Sequence, residues 1–194
     1  MGSKRAEKIG VLVHIYDFLN GGYFAAHHQL RFYSQKVYAL YLENNVAKLA
    51  EIYQKEKRGV PVEIVEIIEK SAGIRYFLCD DCHDARVENI ELKTKDEKSS
   101  LLTFHLNTDG MLGCLALRDE KCKVVLEVPK EDGVLDSFFA DERIKCGRLY
   151  WIDSEIDFDD CDIYFTLALQ VLNGNGYEDV KYRFKLKDIL IEGQ

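Results

Sequence analysis

The chain has 194 residues, of which 47% are hydrophobic and 31% are charged, and it contains only two prolines. This composition is typical of a packed globular protein and excludes a disordered or low-complexity one. The formal net charge of −8 argues against nucleic acid as a partner, because phosphate binding needs clustered lysine and arginine. We predict a single domain over residues 1–194 that binds no nucleic acid.

The N-terminus shows a faint likeness to a secretion signal. Basic residues precede an apolar run at 9–19, but Gly10, His14 and Asp17 interrupt that run. The hydrophobic part of a signal peptide is uninterrupted, and a membrane span is longer. We therefore expect a cytoplasmic protein with no membrane partner. Its six cysteines are expected to be reduced, because a chain of this size needs no disulfide scaffold.

Residues 1–29 form an N-terminal extension or hairpin in our assignment. Apolar residues alternate from Val11 to Ile15 as in a strand and precede a turn-forming Asn20-Gly21-Gly22. Apolar residues from Leu12 to Leu19 also lie at helical spacing. The pattern leaves a strand and a helix both open.

Residues 30–73 form the helical part. Ser34 is a candidate N-cap, and apolar residues then recur at steps of three and four as far as Tyr53. This spacing predicts one long helix, or two with a bend at Asn44-Asn45. Gly59 closes that segment, and Pro61 begins a second, short amphipathic helix.

Residues 74–194 form the β part, because the apolar period changes from 3.6 to 2 and turn clusters follow every eight to twelve residues. The last two strands are expected to pair centrally in an antiparallel sheet. No βαβ alternation is present, so we predict an α+β fold with N-terminal helices packed on an antiparallel β meander, as a single sheet, a sandwich or a half-open barrel. The predicted strands are 74–78, 86–93, 101–107, 112–118, 123–128, 148–155, 162–172 and 177–191, the last broken near Lys187.

The most conspicuous motif lies at a turn and supplies the candidate metal ligands Cys79, Cys82, His83 and Asp84. Cysteine and histidine at this spacing suit zinc, with His83 or His105 completing the set. The same letters match a c-type haem attachment site and a redox Cys-x-x-Cys pair. The favoured interpretation is structural, with buried thiols and a polar turn, because no second pair of ligands stands nearby in the sequence.

His105 is the candidate binding residue, since it lies in the middle of a predicted strand where a concave sheet lined by aromatic residues would hold a small ligand. No nucleophile elbow is present. The carboxylates at 153–162 lack the spacing of a calcium-binding EF-hand loop and are interpreted as a solvated acidic loop.

Three stretches resemble a family of uncharacterised bacterial proteins: 30–38 (LRFYSQKVY), 82–87 (CHDARV) and 149–156 (LYWIDSEI). The resemblance covers residues 30–192 and implies a helical N-terminal part and a C-terminal β meander with a His-Asp turn. Cys82 departs from the pattern, since the family has a bulky apolar residue there, and residues 1–29 precede its usual start. The resemblance implies no activity, cofactor or catalytic residue.

These observations predict a non-catalytic protein-binding or immunity-type protein. The acidic surface favours a basic protein as partner, and an antiparallel sheet leaves one face free to bind it. A metal-binding protein or metal-dependent enzyme centred on the Cys79-to-Asp84 turn is the first alternative. A small-ligand-binding β protein is the second. The sequence pattern does not determine the oligomeric state.

Overall fold

The computed structural model describes residues 4–20, 31, 34–72, 74, 82–107, 121–158, 162–174 and 176–193. These residues divide into two compact units, one mainly of N-terminal helices and one of the strands with two further helices. The prediction of a single domain over 1–194 stays a prediction beside this division. N-terminal helices followed by antiparallel strands confirm the α+β class.

The first unit contains α1 (Lys4–Leu19), α2 (Gln35–Leu42), α3 (Val46–Glu56), a 3₁₀ turn (Lys57–Gly59) and α4 (Val62–Lys70). The sequence left a strand and a helix both open for the apolar run at 9–19. The structure forms a helix there, α1. Ser34 is confirmed as the N-cap of α2, since its Oγ accepts a hydrogen bond from the N–H of Val37 at 3.3 Å.

The predicted bend at Asn44-Asn45 is a complete break between α2 and α3. Asn44 adopts a positive φ of 52°, which asparagine tolerates better than most residues. Asn45 then caps α3 by accepting a hydrogen bond from the N–H of Lys48 at 3.3 Å. This turn lets the two helices bury their apolar stripes in the core of the first unit. That core consists of Ile9, Leu12, Val13, Ile15, Val37, Tyr41, Leu49, Tyr53, Val60, Ile64 and Ile68.

The second unit contains β1 (Ala85–Thr94), β2 (Ser99–Asn107), β3 (Lys121–Pro129), α5 (Gly133–Ala140), α6 (Glu142–Cys146), β4 (Arg148–Phe158), β5 (Ile163–Asn173), β6 (Gly176–Leu186) and β7 (Asp188–Gly193). The predicted break at Lys187 is confirmed. Of the predicted strand 74–78, Ile74 is helical instead, and 75–78 lie outside the described residues, as does the predicted strand 112–118.

The strands form one sheet in the order β6-β5-β4-β1-β2-β3-β7. Only Lys187 separates β6 from β7, yet these strands stand at opposite ends of the order, so the sheet must curl. The backbone N–H of Lys187, between β6 and β7, donates to the carbonyl of Glu127 on β3 at 2.8 Å. The prediction that the β5–β6 pair is central was wrong, because β6 is an edge strand.

The two faces of the sheet differ sharply in polarity. One face buries apolar side chains with α5 against them, and the ring of Phe138 lies 6.0 Å from Phe104 and 5.5 Å from Phe184, centroid to centroid. A bulge at Glu88, between Val87 and Asn89, reverses the alternation of β1. The outer face of β1 is therefore polar on both sides of the bulge, although the outward residues are even-numbered before it and odd-numbered after it.

Helices α5 and α6 were not predicted. Helix α6 has only five residues and is too short to show a helical period, whereas Val134, Leu135 and Phe138 of α5 do lie at helical spacing. Both begin at an aspartate whose side chain caps the helix. Asp132 accepts from the N–H of Val134 at 3.1 Å, and Asp141 accepts from the N–H of Arg143 at 2.9 Å. None of the helices in the described part of the chain is long and apolar enough to cross a membrane.

Candidate functional site

The His83-Asp84 turn lies immediately before β1 and is held by backbone hydrogen bonds. The N–H of Asp84 donates to the Trp151 carbonyl at 2.7 Å, and Asp84 takes a positive φ of 65°. Nδ1 of His83 is hydrogen-bonded to the Ile152 carbonyl. The other ring nitrogen of His83 lies 3.7 Å from the Asp84 carboxylate, and both side chains are more than half exposed. This arrangement anchors the turn to β4.

The thiol of Cys82 lies on the other side of this turn, in the interior. Cys82 is fully buried, and its hydrogen bond to Cys122 on β3 lowers the pKa of the Cys122 thiol, while burial acts in the opposite direction. The described residues hold no group of three or more metal-ligating side chains. Cys79 lies outside them, so the metal site proposed from the sequence stays a prediction. Cys122 is the contact that sequence spacing missed.

His105 lies on the polar outer face of β2, where its Nε2 is 3.2 Å from the Glu91 carboxylate. Glu91 also accepts from Asn89 at 3.1 Å and pairs with Lys93 at 2.7 Å, and hydrogen bonding to Lys93 is the main reason why its pKa is lowered. The large buried aromatic side chains, such as Phe104 and Trp151, occupy the opposite face. The structure therefore does not bring His105 together with them, and its binding role stays a prediction.

Three carboxylates form what we call the acidic row, on the outer face of β4: Asp153, Glu155 and Asp157. The predicted strand ended at 155, whereas β4 continues to Phe158 and contains all three carboxylates. The part of the predicted acidic loop from 153 to 158 is therefore a strand. Asp157 is satisfied, since it accepts from Thr166 at 2.9 Å and lies 3.4 Å from Nε of Arg183.

Glu155 is the strained member of the acidic row. It is exposed, yet surrounding protein atoms remove part of the hydration of its carboxylate, and this raises its pKa. The charges of Asp157 and Asp153 raise it further, and Lys181 opposes them. In the described part of the chain, neither Glu155 nor Asp153 has an ion-pair partner within 4.0 Å. Asp153 and Glu155 therefore present negative charge that no ion pair among the described residues neutralises, on a strand of the sheet.

A second charged cluster joins α6 to β6 and was also missed by sequence reasoning. The Asp141 carboxylate accepts hydrogen bonds from Arg143 and from the Tyr182 hydroxyl, and the other end of the guanidinium pairs with Glu178. These bonds hold the pKa of Asp141 well below its usual range. Burial, followed by the bond to Asp141, raises the pKa of Tyr182 to about 12. Every charge here has a partner, so the cluster reads as structural.

The chain was compared with known proteins. No family model matches it, no curated protein matches it, and no solved structure matches it. Any functional conclusion therefore depends on the geometry of the chain itself.

Proposed function

We propose that this chain is a non-catalytic protein-binding protein that engages a basic partner through the acidic row of β4. The proposal is supported by one observation above all, the placement of Asp153, Glu155 and Asp157 on one outer face of β4. Partial loss of hydration, followed by the charges of Asp157 and Asp153, raises the pKa of Glu155 there. Like charges on one strand face reduce stability. Residues that break a stabilising rule without a structural gain are typical of functional sites. A cationic side chain from a partner would remove this repulsion.

The shape of the surface supports the same interpretation. Strand β5 separates the acidic row from β6, and the small Thr166 of β5 donates a hydrogen bond to Asp157 of the row. The carboxylates belong to a strand and not to a loop, so little backbone ordering is needed on binding. Complementary charge would also speed the encounter with a basic partner.

The test is capture of a partner from a lysate of the source organism, followed by titration of the purified partner. The bait is the full chain, either unchanged or carrying Asp153→Asn with Glu155→Gln. A matched control carries Glu97→Gln with Glu131→Gln, which neutralises two exposed carboxylates elsewhere. We expect a basic protein that binds the unchanged chain and the control and is lost from the row variant and at high salt. Equal binding by the row variant would exclude this surface.

A second candidate function, a thiolate metal site, is supported by the contact between Cys82 and Cys122. Two thiols brought together from a turn and a strand supply half of a tetrahedral zinc site. Elemental analysis of the purified chain tests it, with Cys122→Ala against Cys146→Ala, because Cys146 is exposed. Near-stoichiometric zinc that only Cys122→Ala removes would support this candidate over the protein-binding one. Absence of metal from the unchanged chain would exclude it.

A further inference from the structure

The outer edge of β6 is unpaired in the described part of the sheet, because β6 stands at the end of the strand order. Near its C-terminal end this edge is occupied, since the N–H of Lys185 donates to the Asp132 carboxylate at 2.8 Å. The bond also shows that the backbone N–H of Lys185 points away from β5. Alternate residues of a strand direct N–H and C=O to the same side, so Tyr177, Asp179, Lys181 and Arg183 direct theirs away from β5.

The side chains of these four residues follow a pattern that complements itself. All four are exposed and lie on the outer face, with Tyr177 66% exposed. When a second copy of β6 runs antiparallel and the two-fold axis passes Val180, Asp179 of each copy stands opposite Lys181 of the other. Tyr177 then stands opposite Arg183, whose guanidinium already lies 3.6 Å from the ring centroid of Tyr164, so that Tyr177 would extend an existing cation–π contact. Both kinds of pair occur twice.

The neighbouring registers are less complementary. Moving the axis to Asp179 places the two copies of Asp179 opposite each other. Moving it to Lys181 pairs Asp179 with Arg183 twice, but it places the two lysines opposite each other and sets Tyr177 against Lys185, whose N–H is already bonded to Asp132. Like charges directly opposite each other are unfavourable in a sheet. In the Val180 register, all four outward-facing residues also meet as hydrogen-bonded pairs, which exchange about eight backbone hydrogen bonds across the axis.

We infer that two copies of this chain associate through β6, antiparallel about Val180, to form one continuous sheet. The inference goes beyond the proposed function, and Asp179 tests it away from the acidic row, because Lys181 and Arg183 of the same edge interact with Glu155 and Asp157. Within one copy, Asp179 accepts a hydrogen bond from Gln170 at 3.1 Å and Arg183 pairs with Asp157, and the dimer would give each residue a second contact. An edge that is only protected from pairing typically carries charges such as lysine, which would repel a second copy. On β6 the acidic and basic residues are placed so that a second copy is attracted.

The experiment measures the mass of the full chain, 22.4 kDa as a monomer, by sedimentation equilibrium over a range of concentrations. An excess of reductant excludes disulfide-linked dimers through the exposed Cys146. The variants are Asp179→Lys, Lys181→Asp and the double exchange of both. We expect dimers for the unchanged chain and for the double exchange. For each single variant we expect a dimer dissociation constant about tenfold larger or more, because each single change creates two repulsive pairs.

Fluorescence of the single tryptophan, Trp151, checks that each variant is folded. A second measurement reads the interface directly. Backbone amide exchange at Asp179 and Lys181 should slow as the concentration of the unchanged chain rises, and exchange at Lys185 should not, since that N–H is already bonded to Asp132. A monomer at every concentration would overturn the inference. A dimer that both single charge reversals leave unchanged would overturn it too, because it would use another surface.

Discussion

Replacing Asp141 is expected to destabilise the second unit strongly. Its carboxylate caps α6 through the N–H of Arg143 and accepts the hydroxyl of the partly buried Tyr182. Loss of a helix cap costs about 1 kcal/mol, and loss of a hydrogen bond to a charged acceptor costs about 2 kcal/mol. We therefore expect Asp141→Ala to lower the free energy of unfolding by about 3 kcal/mol. Asp141→Asn keeps an acceptor oxygen and should cost roughly half as much.

The assay is urea unfolding at pH 7, followed by the fluorescence of Trp151, which is buried in the second unit. Tyr182→Phe combined with Asp141→Ala completes a double-mutant cycle, and we expect a coupling energy of about 1 to 2 kcal/mol between the two residues. Glu97→Gln is the surface control and should change stability by less than about 0.5 kcal/mol. A cost below about 1 kcal/mol for Asp141→Ala, or strictly additive effects, would refute this reasoning.

The same cluster should make stability depend on pH at both extremes. The pKa of Asp141 is lowered in the folded state, so its contribution is present above its ordinary pKa near 4 and is lost as the pH falls below that value. The pKa of Tyr182 is raised to about 12, so its contribution is present below its ordinary pKa near 10 and is lost between about 10 and 12. Asp141→Ala should flatten the acid limb of the stability profile.

Two further substitutions test the packing of α6 and the acidic row. A Cβ on Gly147 would lie 2.2 Å from Cγ1 of Val171 and 2.7 Å from the carbonyl of Arg143, so Gly147→Ala should cost about 2 kcal/mol in the same unfolding assay, and an unchanged midpoint would contradict this packing. Glu155→Gln should stabilise the chain slightly at pH 7, because the raised pKa means that the charged form is disfavoured. The gain should be small, since Glu155 is exposed and solvent screens its charge, and salt should reduce it further. Asp157→Asn on the same row should lower the free energy of unfolding instead, because the Asp157 carboxylate already accepts from Thr166 and pairs with Arg183. If Glu155→Gln also lowered it, repulsion within the row would be excluded.

The sequence predicted the elements whose side chains repeat over several turns or pleats. The helices around Tyr53 and the strands around Phe104 and Phe165 belong to this class, because burial on one face imposes the period on the residues. Helix α6 has five residues, too few to repeat a helical pattern, and the Asp141 cap was its only sequence signal. Helix α5 has eight residues with Val134, Leu135 and Phe138 at helical spacing, but Asp132-Gly133 ahead of them equally resembles a turn.

The order of the strands and the contacts between distant residues could not be predicted in this way. A strand with one buried face alternates identically at the centre of a sheet and at its edge, so the alternation of β6 gave no sign that β6 is an edge. The contact between Cys82 and Cys122 joins residues that are distant in the sequence. Cys82 lies in the turn before β1, and Cys122 lies on β3 opposite Leu106 of β2, so only the pairing of three strands brings the two thiols together. Local spacing offered only Cys79 as a partner for Cys82.

The acidic row and the β6 edge belong to the same outer surface, and this gives their proposed roles a geometric relation. In a dimer joined at β6, five steps between neighbouring strands separate the two copies of β4, about 24 Å at the usual spacing. A basic partner long enough to span that distance would contact both rows at once and gain affinity from the second contact. Asp179→Lys should then weaken capture of such a partner while leaving its contact with a single row intact. Asp153→Asn with Glu155→Gln should remove that contact and leave the dimer unchanged, so the two proposals can fail independently.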